Sequence, residues 1–159
     1  MKKAIVIYDT KFGNTEKIAK SLASGMNEQG IEVDCVKVED VQVDKLTEYD
    51  LLAISGPTHG FGMSKPIKAF IVKLEHVDPR DKKFFAFDTK NRGRIWGSAA
   101  KGIEKRLKGI GMNIVKPCAS AIVMGLKGPL QDGVEGKFKQ IGSELASCAR
   151  AQTSASTYF

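Results

Sequence analysis

The sequence predicts an α/β protein built on a doubly wound, five-stranded parallel sheet with strand order 2-1-3-4-5. Three observations carry that reading. Apolar, β-branched runs alternate with stretches of helical periodicity along one short chain of 159 residues. Such alternation implies parallel strands with helices on both faces. The unusual residues gather in three turns, Thr10–Thr15, Gly56–Gly62 and Asp88–Trp96. Those turns follow the first, third and fourth strands, whose carboxyl ends frame the crevice of an open sheet of this order.

Each element has its own signal. Ala4-Ile5-Val6-Ile7-Tyr8 reads as a buried strand. Ile18, Ala19, Leu22 and Met26 then recur at helical spacing, and Gly30 stops the helix. Ile31 to Val38 alternates as a half-exposed strand. A polar stretch with Val41, Val43 and Leu46 leads to the central strand Tyr49–Ser55. Ile67, Phe70, Ile71 and Leu74 mark an amphipathic helix with Pro66 in its first turn. Lys83 to Phe87 is the fourth strand, ending at Asp88-Thr89. A helix from Gly97 to Lys108 turns Ile103 and Leu107 inward, and Gly109 and Gly111 end it. The last strand region opens at Asn113 and runs through Ala119–Val123. Gly128 and Pro129 break the chain before a final helix, Leu130 to Arg150. Residues 1–150 therefore read as a single domain, and 151–159 as a frayed C-terminal tail.

Composition narrows the function classes. Hydrophobic content of 42% and charged content of 27% are those of a soluble globular protein. No apolar stretch approaches a membrane span, so no membrane partner is expected. Cys35, Cys118 and Cys148 are far apart and form no Cys-x-x-Cys, which fits buried thiols in a reducing cytoplasm better than disulfides or a metal site. The net charge of +7 is spread among acidic residues and accompanies no nucleic-acid motif. It sets the sign of the partner's surface instead.

Thr10-Lys11-Phe12-Gly13-Asn14-Thr15 is the most informative stretch. A strand-to-helix turn aims unpaired backbone N–H groups and the positive end of the helix dipole at one spot, an anion site. Thr10 and Thr15 add hydroxyls, Asn14 an amide, and Gly13 lets the chain approach a ligand closely. Gly-x4-Gly-Lys-Ser/Thr is missing, as is Gly-x-Gly-x-x-Gly, so the turn suits one terminal phosphate rather than a triphosphate or dinucleotide. The alternative is structural, with Asn14 or Thr15 serving only as a helix N-cap.

The run Val6 to Thr15, followed by Ala19 and Leu22, closely resembles the signature of flavodoxins. Pro57-Thr58-His59-Gly60-Phe61 looks like the family's second flavin loop, and also like the Pro-Thr-Arg-Phe-Gly loop of flavodoxin-like quinone reductases. Asp88-Thr89-Lys90-Asn91-Arg92, ending at Trp96-Gly97, is similar to the third flavin loop, and its Trp-containing end to that of the flavodoxin module of flavodiiron proteins. With no long insertion in the last strand, the chain resembles the short-chain type. The resemblance implies noncovalent FMN and electron transport, with no acid–base catalytic residue. Thr10, Lys11, Phe12, Gly13, Asn14 and Thr15 take the phosphate cradle; Pro57, Thr58, His59, Gly60 and Phe61 cover one ring face. Asp88, Thr89, Lys90, Asn91, Arg92 and Trp96 lie on the other side, Trp96 as a stacking aromatic.

Two departures stand out: the chain is basic where flavodoxins are usually acidic, and His59 stands where they carry an aromatic or methionine. The expected function is a cytoplasmic electron carrier, a monomer or weak dimer, serving redox proteins with acidic docking surfaces. Two alternatives stay open: an FMN-dependent NAD(P)H or quinone reductase, and a non-redox module binding another phosphate ligand.

Overall fold

A computed structural model describes residues 2–59, 62–92 and 97–156, with side chains described as far as residue 148. The strands are β1 (Lys3–Tyr8), β2 (Glu32–Lys37), β3 (Leu51–His59), β4 (Gly62–Met63), β5 (Lys83–Asn91), β6 (Asn113–Ile114) and β7 (Ala119–Val123). The helices are α1 (Asn14–Glu28), α2 (Lys65–Glu75), α3 (Ala99–Gly109) and α4 (Val134–Ser156). Two 3-10 turns, Val38–Asp40 and Val43–Glu48, occupy the polar stretch before β3.

The sheet runs β2-β1-β3-β5-β6, with β7 continuing the last position beside β5. All these pairings are parallel, whereas β4 runs antiparallel to β3 and folds back on its end. Counting β6 and β7 as one interrupted strand gives the predicted doubly wound order.

Period-two alternation splits the core. Val6, Ala53, Phe85 and Phe87 face α1 and α4, meeting Ile18, Leu22, Met26, Phe138 and Leu145. Ile5, Ile7, Leu52, Ile54, Phe84 and Ala86 face α2 and α3, meeting Ile67, Phe70, Ile71, Leu74, Ile103 and Leu107. Pro66 sits in the first turn of α2, where its missing N–H costs nothing.

Boundaries differ where long-range pairing decides them. β5 continues four residues past Phe87 because Phe87–Asn91 pairs with Ala119–Val123. The final helix starts at Val134 instead of Leu130, because Leu130 forms an antiparallel bridge with Val123 and Gly133 has φ +83°.

The three cysteines are free but half-buried, not buried. Burial pushes the Cys35 thiol up to about 11 from its ordinary 9.0. Two units leave about 100-fold less thiolate at neutral pH, an effect partly offset by the greater nucleophilicity of a more basic thiolate, so iodoacetamide should label Cys35 about tenfold more slowly than a free thiol. Mass-spectrometric timing of the reaction checks this, and labelling at the free-thiol rate would contradict it.

Candidate functional site

The carboxyl ends of β1, β3 and β5 lie level. Tyr8 pairs with Ser55, and Ser55 with Phe87, so the turns that follow all emerge at one edge of the sheet. There they line an open cleft of about 240 Å³. Its walls are Thr10, Lys11, Phe12, Asn14 and Thr15 after β1; Pro57, Thr58 and His59 at the end of β3; and Thr89, Lys90 and Asn91 at the end of β5.

The phosphate-cradle turn can be checked against its N-cap alternative. The capping position of α1 is Gly13, in the left-handed conformation at φ +89°, and no side chain caps the helix. The first intrahelical bond runs from the Lys17 N–H to the Gly13 carbonyl. The N–H groups of Asn14, Thr15 and Glu16 therefore have no intrahelical acceptor at the cleft end of α1. Asn14 and Thr15 lie inside the helix and are buried. The Asn14 amide donates to the Lys127 carbonyl at 3.2 Å, and the Thr15 hydroxyl shares a 2.9 Å hydrogen bond with Thr89. Neither is the cap. Thr10 Oγ1 accepts from the Gly13 N–H at 2.9 Å and holds the turn tight. A Cβ at Gly13 would meet nothing, so glycine serves the positive φ here.

Asp88 and Arg92 stand outside the cleft lining. Asp88 is fully buried and does not line the cleft. Strand alternation turns it toward the α3 side of the sheet, opposite to Thr89, where its Oδ2 accepts three hydrogen bonds. Arg92 is exposed and absent from the lining; its backbone N–H donates to the Val123 carbonyl. Gly60, Phe61 and Trp96 fall outside the described residues. His59 is exposed but belongs to the cleft wall.

A fourth wall carries no local signal in the sequence. Val123 and Leu126 line the cleft, brought there by the segment after β7. That segment folds back through bonds between the Met124 N–H and the Pro129 carbonyl and between Asn14 and Lys127. Leu126 is 75% exposed and Phe12 43%, so one rim of the cleft is apolar and wet. The Lys11 and Lys127 ammonium groups lie 5.4 and 5.8 Å from the centre of the Phe12 ring. That rim is both apolar and cationic.

The chain is 28% identical over 113 residues to a flavodoxin from Clostridium beijerinckii, covering 70% of this chain and 80% of that one. It is 27% identical over 118 residues to the uncharacterized protein MJ0732 of Methanocaldococcus jannaschii and spans 29% of that protein's length. A probable flavodoxin 1 of Bacillus subtilis is 37% identical over 62 residues, 39% of each chain. The chain thus spans well under half the length of these last two relatives. A solved flavodoxin from the domain Archaea superposes with a TM-score of 0.80 at 25% identity, covering 91% of this chain and 96% of that one. The rubredoxin oxygen:oxidoreductase of Desulfovibrio gigas reaches the same TM-score at 17% identity over 95% of this chain and 37% of its own, a likeness of fold. The family model for flavodoxin matches residues 6–151. The chain belongs to the flavodoxin family.

Proposed function

We propose that this protein is an FMN-binding electron carrier that works between redox partner proteins in the cytoplasm. The single observation that carries the reading is the uncapped N-terminus of α1 at the floor of the cleft, framed by the Thr10 and Thr15 hydroxyls. Amides, a dipole and hydroxyls converge there on one anionic group, as a terminal phosphate requires. The donors suit FMN. No carboxylate lines the cleft among the described residues, so a phosphate would meet no repulsion.

FMN, when bound, supplies the electron chemistry; the protein binds and orients it. Thr10, Gly13, Asn14 and Thr15 hold the phosphate end. Pro57, Thr58 and His59 stand on one side of the ring position, and Thr89, Lys90 and Asn91 on the other. Phe12, Leu126 and Val123 close the apolar edge. An open cleft leaves one edge of the ring within reach of a partner. Among the described residues, no helix is long and apolar enough to cross a membrane.

The first test is reconstitution. Apoprotein titrated with FMN should take up one equivalent and quench its fluorescence. Absence of binding would remove the reading, and steady NAD(P)H-to-quinone turnover by the loaded protein would favour a reductase.

The cationic rim gives a second expected result. The FMN-loaded, reduced protein should pass electrons to ferricyanide, an anion, at a rate that falls as salt rises, and to hexaamminecobalt(III), a cation, at a rate that rises. Replacing Lys11 and Lys127 with Gln should slow the ferricyanide reaction by about threefold to tenfold at low salt. Stopped-flow traces showing the same salt slope for both reagents would argue against selection of acidic partners.

A further inference from the structure

Beneath the cleft, on the α2 and α3 side of the sheet, two aspartates occupy matching positions. Asp9 follows β1 and Asp88 lies in β5, level with each other on either side of Gly56. Each reaches the serine that begins a helix. Ser64, the capping residue of α2, donates its hydroxyl to Asp9 Oδ2 at 2.6 Å. Ser98, the capping residue of α3, donates to Asp88 Oδ2, also at 2.6 Å. Ser64 and Ser98 are both buried. They stand at the entries to α2 and α3, the helices that follow the cleft-lining ends of β3 and β5.

Asp88 does more than anchor one serine. The same Oδ2 accepts from Thr58 Oγ1 at 3.2 Å and from the Ala100 N–H at 3.0 Å. Thr58 Oγ1 in turn accepts from the Ala99 N–H at 3.1 Å, and Ser98 Oγ from the Lys101 N–H at 3.3 Å. Every hydroxyl in this network donates once toward the carboxylate and accepts once from a backbone N–H at the start of α3. Asp88 Oδ1 is buried with no hydrogen-bond partner among the described residues. A fully buried carboxylate is a costly way to begin a helix, since the serine alone caps it. What the carboxylate adds is a tie that joins Thr58, on one wall of the cleft, and the entry to α3 to β5, whose Thr89, Lys90 and Asn91 form the opposite wall.

We infer that Asp88, assisted by Asp9, is a positioning residue that sets the two ring-side walls of the cleft before any ligand enters, and so governs affinity for the ring rather than for the phosphate. The inference rests on the proposed flavin reading. Neither aspartate touches the ligand. Asp88 acts by fixing Thr58 and the entry to α3, and Asp9 by fixing the entry to α2. Holding these roots lowers the ordering cost of binding. Thr10 and Thr15 serve the other end of the ligand, so the two groups of residues have separable signatures.

The test compares dissociation constants for FMN and riboflavin, by fluorescence quenching, with amide exchange over residues 97–101. Asp88→Ala should weaken both ligands by the same factor, about tenfold or more, and speed exchange at Ala99 and Ala100. Asp88→Asn keeps an acceptor for all three donors and should stay within about threefold of the parent for both ligands. Rescue by the amide separates positioning from general loss of stability. Parent-like affinities in Asp88→Ala, a loss confined to FMN, or equal damage in both variants would each overturn the inference. If Asp88→Ala does not fold, Ser98→Ala removes one of the three donors and should weaken both ligands by about threefold; unchanged affinities there overturn it equally. If the parent binds no flavin, the proposed function falls. Exchange in the unliganded variants then decides the tie alone, and parent-like protection in both Asp88→Ala and Ser98→Ala refutes it.

Discussion

Gly25→Ala and Gly142→Ala should each destabilise the protein by about 3 kcal/mol. The reason is the crossing of α1 over α4. A Cβ on Gly25 would stand 1.9 Å from the Lys139 carbonyl oxygen, and one on Gly142 2.2 Å from the Leu22 carbonyl oxygen. Each helix therefore presses its backbone into a notch left by the other's glycine. The obstructing atoms are backbone, so no rotamer change relieves the clash and the helices must move apart. Alanine is favoured over glycine inside a helix by up to about 1 kcal/mol, which recovers only part of the loss. For a chain of this size the net effect is a fall in melting temperature of roughly 6–12 °C. Gly136 is the control: it also lies in α4, but an added Cβ there meets nothing within 4 Å. Gly136→Ala should hold or raise stability by up to about 1 kcal/mol. Thermal melts of the three variants give the comparison, and equal behaviour of Gly25→Ala and Gly136→Ala would contradict the packing argument.

Those glycines also show what a linear reading misses. The apolar stripe Ile18, Ala19, Leu22 and Met26 is readable because its period is local, and those four residues are fully buried under the sheet. The run Ala4 to Tyr8 is readable for the same reason. Nothing near Gly25 says that Lys139 will lie against it. The cradle at Thr10–Thr15 stands out because its residue types are unusual for a turn between a strand and a helix. Asp88 stood in an expected ligand segment, yet its side chain turns to the opposite face. The extension of β5, by pairing with β3 through Thr89 and with β7 through Asn91, sets that alternation. The wall formed by Val123 and Leu126 depends on a contact spanning 113 residues, from Asn14 to Lys127. Local chemistry marks a turn. Long-range pairing decides which side chains face the ligand.

The phosphate end of the cleft carries the largest expected effect on binding. Thr10→Ala and Thr15→Ala should each weaken FMN by about tenfold to a hundredfold while changing riboflavin by no more than about twofold. Hydrogen bonds to a charged group are worth roughly 1.5–3 kcal/mol each, and every 1.4 kcal/mol is tenfold in affinity. The two residues act differently. Thr15 shares its hydroxyl with Thr89, so when it donates to a phosphate oxygen it can accept from Thr89 and stay satisfied on both sides. Thr10 accepts from the Gly13 N–H, which leaves its own proton free for the ligand while holding the turn at its positive φ. Losing Thr10 therefore removes a donor and loosens the turn, and Thr10→Ser should restore most of the affinity because the hydroxyl is what matters. Thr10→Val preserves shape without the hydroxyl and should behave like Thr10→Ala. Inorganic phosphate should compete with FMN in the parent protein and lose that competition in Thr15→Ala. Equal affinity of the parent for FMN and riboflavin would place the phosphate outside this turn, and the anion site at the head of α1 would have to be given up.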